Sequence, residues 1–193
     1  MKKLLLPLVL VAAPLGAQSF EVGVFLGQQS YKDYNVLGVN ATTDSKTVAS
    51  GRFGYSLVDL GPAMLQVTAG YQPTVTSTST VTFTGLGTGT GDYKDGHWSV
   101  GAMFNFKAFV AVGAGVEYRS EKLETSTTST TYGRPWARLN AGLAFPTPLV
   151  KPFIGLEVAV PLTSMSNESG SAEDALKSMA PKMQIGVYGG IRF

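Results

Sequence analysis

Along most of the chain, apolar and non-apolar residues alternate one by one, the period expected of strands with a single apolar face. Eight stretches of about ten residues carry this pattern: 20–29, 47–57, 63–72, 97–106, 109–119, 134–145, 152–162 and 183–193. In the first, Phe20, Val22, Val24 and Leu26 share one face, and Glu21, Gly23, Phe25 and Gly27 the other. The fifth sets Val110, Val112, Ala114, Val116 and Tyr118 against Ala111, Gly113, Gly115, Glu117 and Arg119. The apolar face carries no charge in any of the eight. The opposite face is Gly, Ser, small residues and a few Arg and Glu, not the Lys, Asp and Glu of a water-exposed sheet. A crowded lumen inside and lipid outside fit these faces, because an Arg or Lys on a lipid face costs about 2–4 kcal/mol at the midplane.

The connections strengthen that reading. Their lengths run long, short, long, short, long, short, long: 30–46, 58–62, 73–96, 107–108, 120–133, 146–151 and 163–182. Transmembrane barrels with both ends on the periplasmic side have short turns there and long loops outside. The expected architecture is therefore all-β: an eight-stranded antiparallel up-and-down transmembrane β-barrel with four long outer loops. Aromatics on the lipid face gather near strand ends, as interface girdles require. Phe20, Tyr55, Phe104, Phe106, Phe145 and Phe193 fall at the periplasmic side, and Tyr71, Trp98 and Tyr118 at the outer side.

The start of the chain does not share the pattern. Residues 1–17 read MKKLLLPLVLVAAPLGA: two lysines, an apolar run and a small-residue exit. This is the layout of a cleaved secretory signal peptide, too short to span a membrane. Cleavage after Ala17 leaves residues 18–193 as the barrel domain, and loss of Lys2 and Lys3 takes the net charge from +2 to zero.

Composition then removes function classes. Only 15% of the 193 residues are charged, against about 25% in a soluble domain. There is no Cys and one His, so no disulfide framework, thiol nucleophile, cysteine zinc site or poly-histidine metal site is expected. A net charge of +2 with no Lys/Arg cluster gives no footprint for nucleic acid. No cofactor is expected.

On this pattern and topology, and on the aromatic Phe193 that follows Ile191, the chain resembles the small eight-stranded outer-membrane barrels, the OmpA transmembrane domain, OmpX and OmpW group. The resemblance implies a bacterial outer-membrane location. It also implies contact with outer-membrane lipid and recognition of Ile191 and Phe193 by the barrel-assembly machinery. Tyr188 stands where that assembly signal usually has Gly. The resemblance further implies a monomer with a structural or surface-interaction role and an extracellular ligand or receptor met through the loops. A narrow OmpW-like channel for small solutes is the alternative.

The inward charges are Glu21, Arg52, Glu117, Arg119, Arg134, Arg138, Glu157 and Arg192. Eight strands leave an interior filled by side chains, so a salt-bridged plug is the preferred reading over a catalytic carboxylate pair. Glu117, Arg138 and Glu157 lie on consecutive strands, where Arg138 can bridge both carboxylates. Arg52 lies at similar height, and Glu21 and Arg192 meet at the base when the first and last strands pair. His97 and Ser99 share a face, a spacing similar to the lipid A deacylase PagL. Here, however, Val100 follows where that enzyme has Asn, and the register turns both side chains inward. No enzymatic activity is expected. The run 85–91, Gly-Leu-Gly-Thr-Gly-Thr-Gly, lacks GxGxxG spacing and reads as a flexible loop. The Ser/Thr-rich runs 74–84 and 125–131 are expected to extend hairpins as ribbons, and residues 172–179 to form a short helix.

Overall fold

A computed structural model describes residues 19–36, 38–107, 110–145, 150–163 and 172–193. The expected signal peptide, and most of the turn expected at 146–151, lie outside the described residues. The strands are β1 (Phe20–Tyr31), β2 (Tyr34–Val36), β3 (Val39–Thr43), β4 (Lys46–Asp59), β5 (Ala63–Phe83), β6 (Gly87–Lys107), β7 (Ala111–Glu124), β8 (Ser129–Ala144), β9 (Lys151–Pro161) and β10 (Pro181–Arg192). One helix, α1 (Ala172–Ser178), precedes β10. Eight strands close a ring in the order β1-β4-β5-β6-β7-β8-β9-β10, antiparallel throughout, with β10 pairing back to β1 from Glu21↔Arg192 upward.

Burial along each strand follows the alternation. Val22, Val24, Leu26, Val100, Val116, Leu139, Leu156 and Val187 face outward and exposed, while Glu21, Phe25, Gln66, Met103, Glu117, Arg138, Glu157 and Tyr188 are buried inside. The uncharged band runs from a lower girdle to an upper one. Below, Phe20 packs on Tyr55 and Phe53 at ring distances of 5.2 and 5.8 Å. Phe104, Phe106 and Phe145 stay exposed at the same end, as do Ile191 and Phe193. Above, Tyr71 lies against Trp98 at 4.3 Å, and Tyr118 covers Gly133, whose hydrogen leaves the only room for its ring. An apolar band without charge, closed on itself by backbone hydrogen bonds, is what a lipid bilayer accepts as a spanning structure. Past the upper girdle the outward positions turn polar: Gln28, Lys94, Ser120 and Lys122.

The inner wall is rich in glycine because large side chains must share a narrow lumen. Tyr188 lies over Gly23 and Phe25 over Gly27, with a Cβ at either glycine falling within 2.6 Å of the ring.

The outer half extends one expectation and departs from two others. First, the ribbon expected at 74–84 forms, with β5 and β6 at 21 residues each running about 40 Å past the girdle. Second, the first outer connection folds into the β2–β3 hairpin, and β3 pairs with outer β5 from Thr43↔Ser79 to Val39↔Phe83. Third, the glycine-rich run read as a flexible loop is mostly strand. The turn is confined to Phe83–Gly87, where Gly85 and Gly87 take φ of 82° and 112°, and residues 87–91 pair with β5. Threonine alternating with glycine offered no apolar face, so the period-2 signal was silent there. The run 125–131 splits: Thr125 and Thr128 form the turn, closed by the Thr125 N–H to the Thr128 carbonyl at 2.8 Å, and β8 begins at Ser129.

One bulge sets up the upper lumen. Between Gln72↔His97 and Val75↔Asp95, Pro73 and Thr74 oppose the single residue Gly96. The extra residue flips the parity of β5, so that Gln66, Thr68 and Gln72 point inward below it and Ser77 and Ser79 above it.

Candidate functional site

The lumen is the site, and it is filled in layers. At the base, Arg192 on β10 pairs with Glu21 on β1. The same carboxylate accepts the Tyr188 hydroxyl at 2.7 Å and the Gln66 amide at 3.2 Å, and Asn105 donates to Gln66 at 3.0 Å.

At mid-height Arg138 on β8 donates to Glu117 on β7 at 2.8 Å and lies 3.8 Å from Glu157 on β9, bridging its two neighbouring strands. Arg119 donates to the other oxygen of Glu117 at 2.7 Å. Arg52 reaches across the lumen from β4 and grips Glu157 with two bonds of 2.8 and 2.7 Å. A bidentate fork on a buried carboxylate is among the strongest side-chain contacts available. Arg52 also stacks on Tyr188 at 4.5 Å and Arg119 on Trp136 at 3.9 Å. Every carboxylate in these two layers has a guanidinium. The structure thus brings together all six residues of the expected charge cluster: Arg52, Glu117, Arg138 and Glu157 in one group, Glu21 and Arg192 in another.

A third layer was not anticipated in the sequence. Glu121, two residues beyond the expected end of its strand, takes the Trp136 indole N–H at 2.6 Å, the Tyr132 hydroxyl at 2.5 Å and Arg134 at 2.9 Å. Trp136 is wholly buried between the Arg119 and Arg134 guanidinium planes. Beside it three glutamines interlock: Gln184 donates to Gln72 at 2.8 Å and to Gln29, and Gln72 donates to Gln29 at 3.3 Å. Asp95 joins them, accepting the Gln29 amide and the Tyr31 hydroxyl, both at 2.6 Å. Asp95 and Glu121 escaped the sequence reading because both were assigned to outer loops. Inward parity continued past the girdle would have found them.

Above this layer sits an apolar cap. Tyr31, Ala41, Tyr93 and Leu123 from four strands meet Leu176, Met179 and Ala180 from α1 and the residues after it. Tyr31 and Tyr93 contact edge-on at 5.3 Å, and the Tyr93 hydroxyl donates to the Met179 carbonyl at 3.4 Å. α1 docks here because β9 stops early. Pairing of β8 with β9 ends at Trp136↔Pro161, whereas pairing with β7 continues to Glu124↔Ser129, leaving a notch in the wall that α1 covers.

His97 and Ser99 are inward and buried, turned away from lipid. Among the described residues no group of three or more His, Asp or Glu side chains is arranged to hold a metal ion.

No family model matches the chain, and no curated protein does. Solved structures do. The outer membrane protein OprG from Pseudomonas aeruginosa aligns at a TM-score of 0.55 and 13% identity over 92% of this chain and 96% of its own. The N-terminal β-barrel domain of Pseudomonas aeruginosa OprF aligns at 0.45 and 17% identity, over 91% and 97%. Ail, the attachment invasion locus protein of Yersinia pestis, aligns at 0.39 and 12% identity, over 91% and 98%. With the closed eight-strand ring, the likeness to OprG identifies the fold of this chain as that of the small outer-membrane β-barrels.

Proposed function

We propose that the protein resides in a bacterial outer membrane as a closed barrel with a structural and surface-interaction role, and that it is not an enzyme. The observation that carries this reading is the closing of the lumen at successive heights: two layers of paired arginine and glutamate with a small cavity between them, a polar layer, then an apolar cap. A solute would have to break buried ion pairs to pass. What the barrel offers instead is outside. Outer β6 carries no second partner over residues 87–93 among the described residues, since its pairing with β7 begins only at Lys94. An exposed sheet edge is a surface to which extended segments of other proteins add.

The inward placement of His97 and Ser99 argues against lipid deacylation, because a lipid-cleaving pair must face its substrate. The competing narrow channel is separated by planar-bilayer recording. The purified protein should give no stable conductance steps. Sustained steps from the wild type would favour the channel. The exposed Ile191 and Phe193 support recognition by the assembly machinery. Deleting Phe193 should lower the amount inserted in cells while refolding into detergent proceeds. Unchanged insertion would remove that partner.

A further inference from the structure

We propose that Asp95 is a proton-operated latch beneath the outer cap: α1 stays docked while Asp95 is protonated and loosens when it ionises. The geometry carries this. Asp95 is 2% exposed and makes no ion pair among the described residues. Its two oxygens are held by neutral donors, Tyr31, Gln29 and, at 3.4 Å, Gln72. It also sits at the floor of the cap. Leu123, a cap residue, is its register partner on β7, Tyr93 lies two residues above it on the same face, and Tyr31 belongs to both groups. Lifting α1 off Tyr31, Tyr93 and Leu123 is therefore the step that lets water reach this carboxylate.

A buried carboxylate without a cation favours its neutral form, and hydration favours the charged form. Asp95 lies three residues outside the Trp98 girdle, in the extracellular part of β6. Burial, opposed by the hydrogen bonds from Tyr31 and Gln29 and assisted by nearby Glu121, raises its pKa from 3.8 to about 6. In an undocked, hydrated state the ordinary value applies. The docked state is thus favoured most below pH 4. That advantage is lost as the pH rises to 6, by tenfold per pH unit or about a hundredfold across the two units. The other ionisable groups around this layer are Tyr31 on β1, Tyr93 and His97 on β6, Arg119 and Glu121 on β7, and Tyr132 and Arg134 on β8; β5 and β10 present only Gln72, Ser77 and Gln184. Glu121 and Arg134 are paired with each other, and the tyrosines keep their protons in this range. His97 would act with the opposite sign, since a buried neutral imidazole favours release as the pH falls, so its removal should leave the effect in place.

Amide hydrogen exchange of the full barrel in detergent, read by mass spectrometry on the segment 176–180 and corrected for intrinsic exchange, tests the latch. Protection should fall about a hundredfold between pH 4 and pH 7.5 and level off above pH 6. Asp95→Asn should abolish the fall, and His97→Gln should preserve it. Tyr31→Phe, which removes a hydrogen bond that favours the charged form, should move the levelling point to higher pH. It serves as the second test if Asp95→Asn does not refold to the heat-modifiable form. Protection that is flat with pH in the wild type overturns the latch, as does a fall that persists in Asp95→Asn or vanishes in His97→Gln. A levelling point unmoved by Tyr31→Phe counts equally against it.

Discussion

The mid-height layer and the layer beneath the cap solve the same problem differently. Both bury carboxylates inside a barrel. At mid-height Glu117 and Glu157 are met by Arg52, Arg119 and Arg138, all inside the lipid-covered band. Under the cap Asp95 is met by amides and a phenol, outside that band, with a movable helix above it. Ion pairing fixes a charge permanently, whereas neutral donors leave its protonation open to the surroundings. The first arrangement suits a wall that must never open, and the second a lid.

Breaking the first arrangement should have the largest effect. Arg138→Ala leaves Arg119 alone on Glu117 and Arg52 alone on Glu157 and empties a wholly buried site. The lost charged hydrogen bond and the cavity together should destabilise the barrel by about 3–5 kcal/mol in urea unfolding in bilayers. A change under about 1 kcal/mol would mean the layer is not a structural unit.

Truncating the lid should be felt locally. Leu123→Ala removes a wholly buried cap residue, a change worth about 2–5 kcal/mol in a packed core. Because the cap stands on top of the ring, this should appear as protease cleavage near α1 with the urea midpoint of the barrel unchanged. A shift of that midpoint matching Arg138→Ala would show that lid and wall unfold together.

Leu139→Arg tests where the band lies. Leu139 faces outward with register partners Ala114 and Val158, midway between the girdles, so a charge there should cost about 2–4 kcal/mol. A neutral result would place the apolar face away from lipid.

The smallest effect belongs to the periplasmic turn, where Lys107 donates to Asp59 at 2.9 Å. Burial pushes the Asp59 carboxyl up, but the bonds from Lys107 and the Gly61 N–H outweigh it and hold it below the ordinary range. Its stabilisation is thus present above about pH 4 and lost as the pH falls through the lowered value. The pair is partly exposed, so Lys107→Met should cost no more than about 1 kcal/mol at neutral pH, and less in acid. A larger cost would mean the turn is packed rather than solvated.

The contrast between layers also explains what could be read in the sequence. Within the band, lipid outside and a narrow lumen inside force strict alternation, so strand faces were legible. The meeting of Glu21 with Arg192, and of Arg138 with its neighbours, then followed from strand order. The grip of Arg52 on Glu157 was not legible, because it spans the lumen between strands that are not neighbours. Past the girdle both faces of a strand meet water or a small core, and alternation fades. Asp95 and Glu121 were therefore read as loop, and the ribbon at 74–84 was legible only from its Ser/Thr content. The bulge at Pro73 and Thr74 inverts parity, so even a correct extension of β5 would have misplaced Ser77. The cap gathers Tyr31, Tyr93, Leu123 and Leu176, which no local pattern relates.

The seam between β1 and β10 has a kinetic consequence. Seven of the eight ring contacts join strands that follow one another around the barrel, so each can zip from a nearby turn. The eighth joins distant parts of the chain, Glu21 with Arg192 being 171 residues apart. Loop-closure entropy makes such a pairing the slowest to form. Until it does, the edges of β1 and β10 both stand open, and an open edge in a membrane leaves backbone groups unsatisfied. The ion pair at the base therefore acts at the rate-limiting moment of folding. Its weakening would prolong the open-sheet intermediate, during which two chains can join edge to edge.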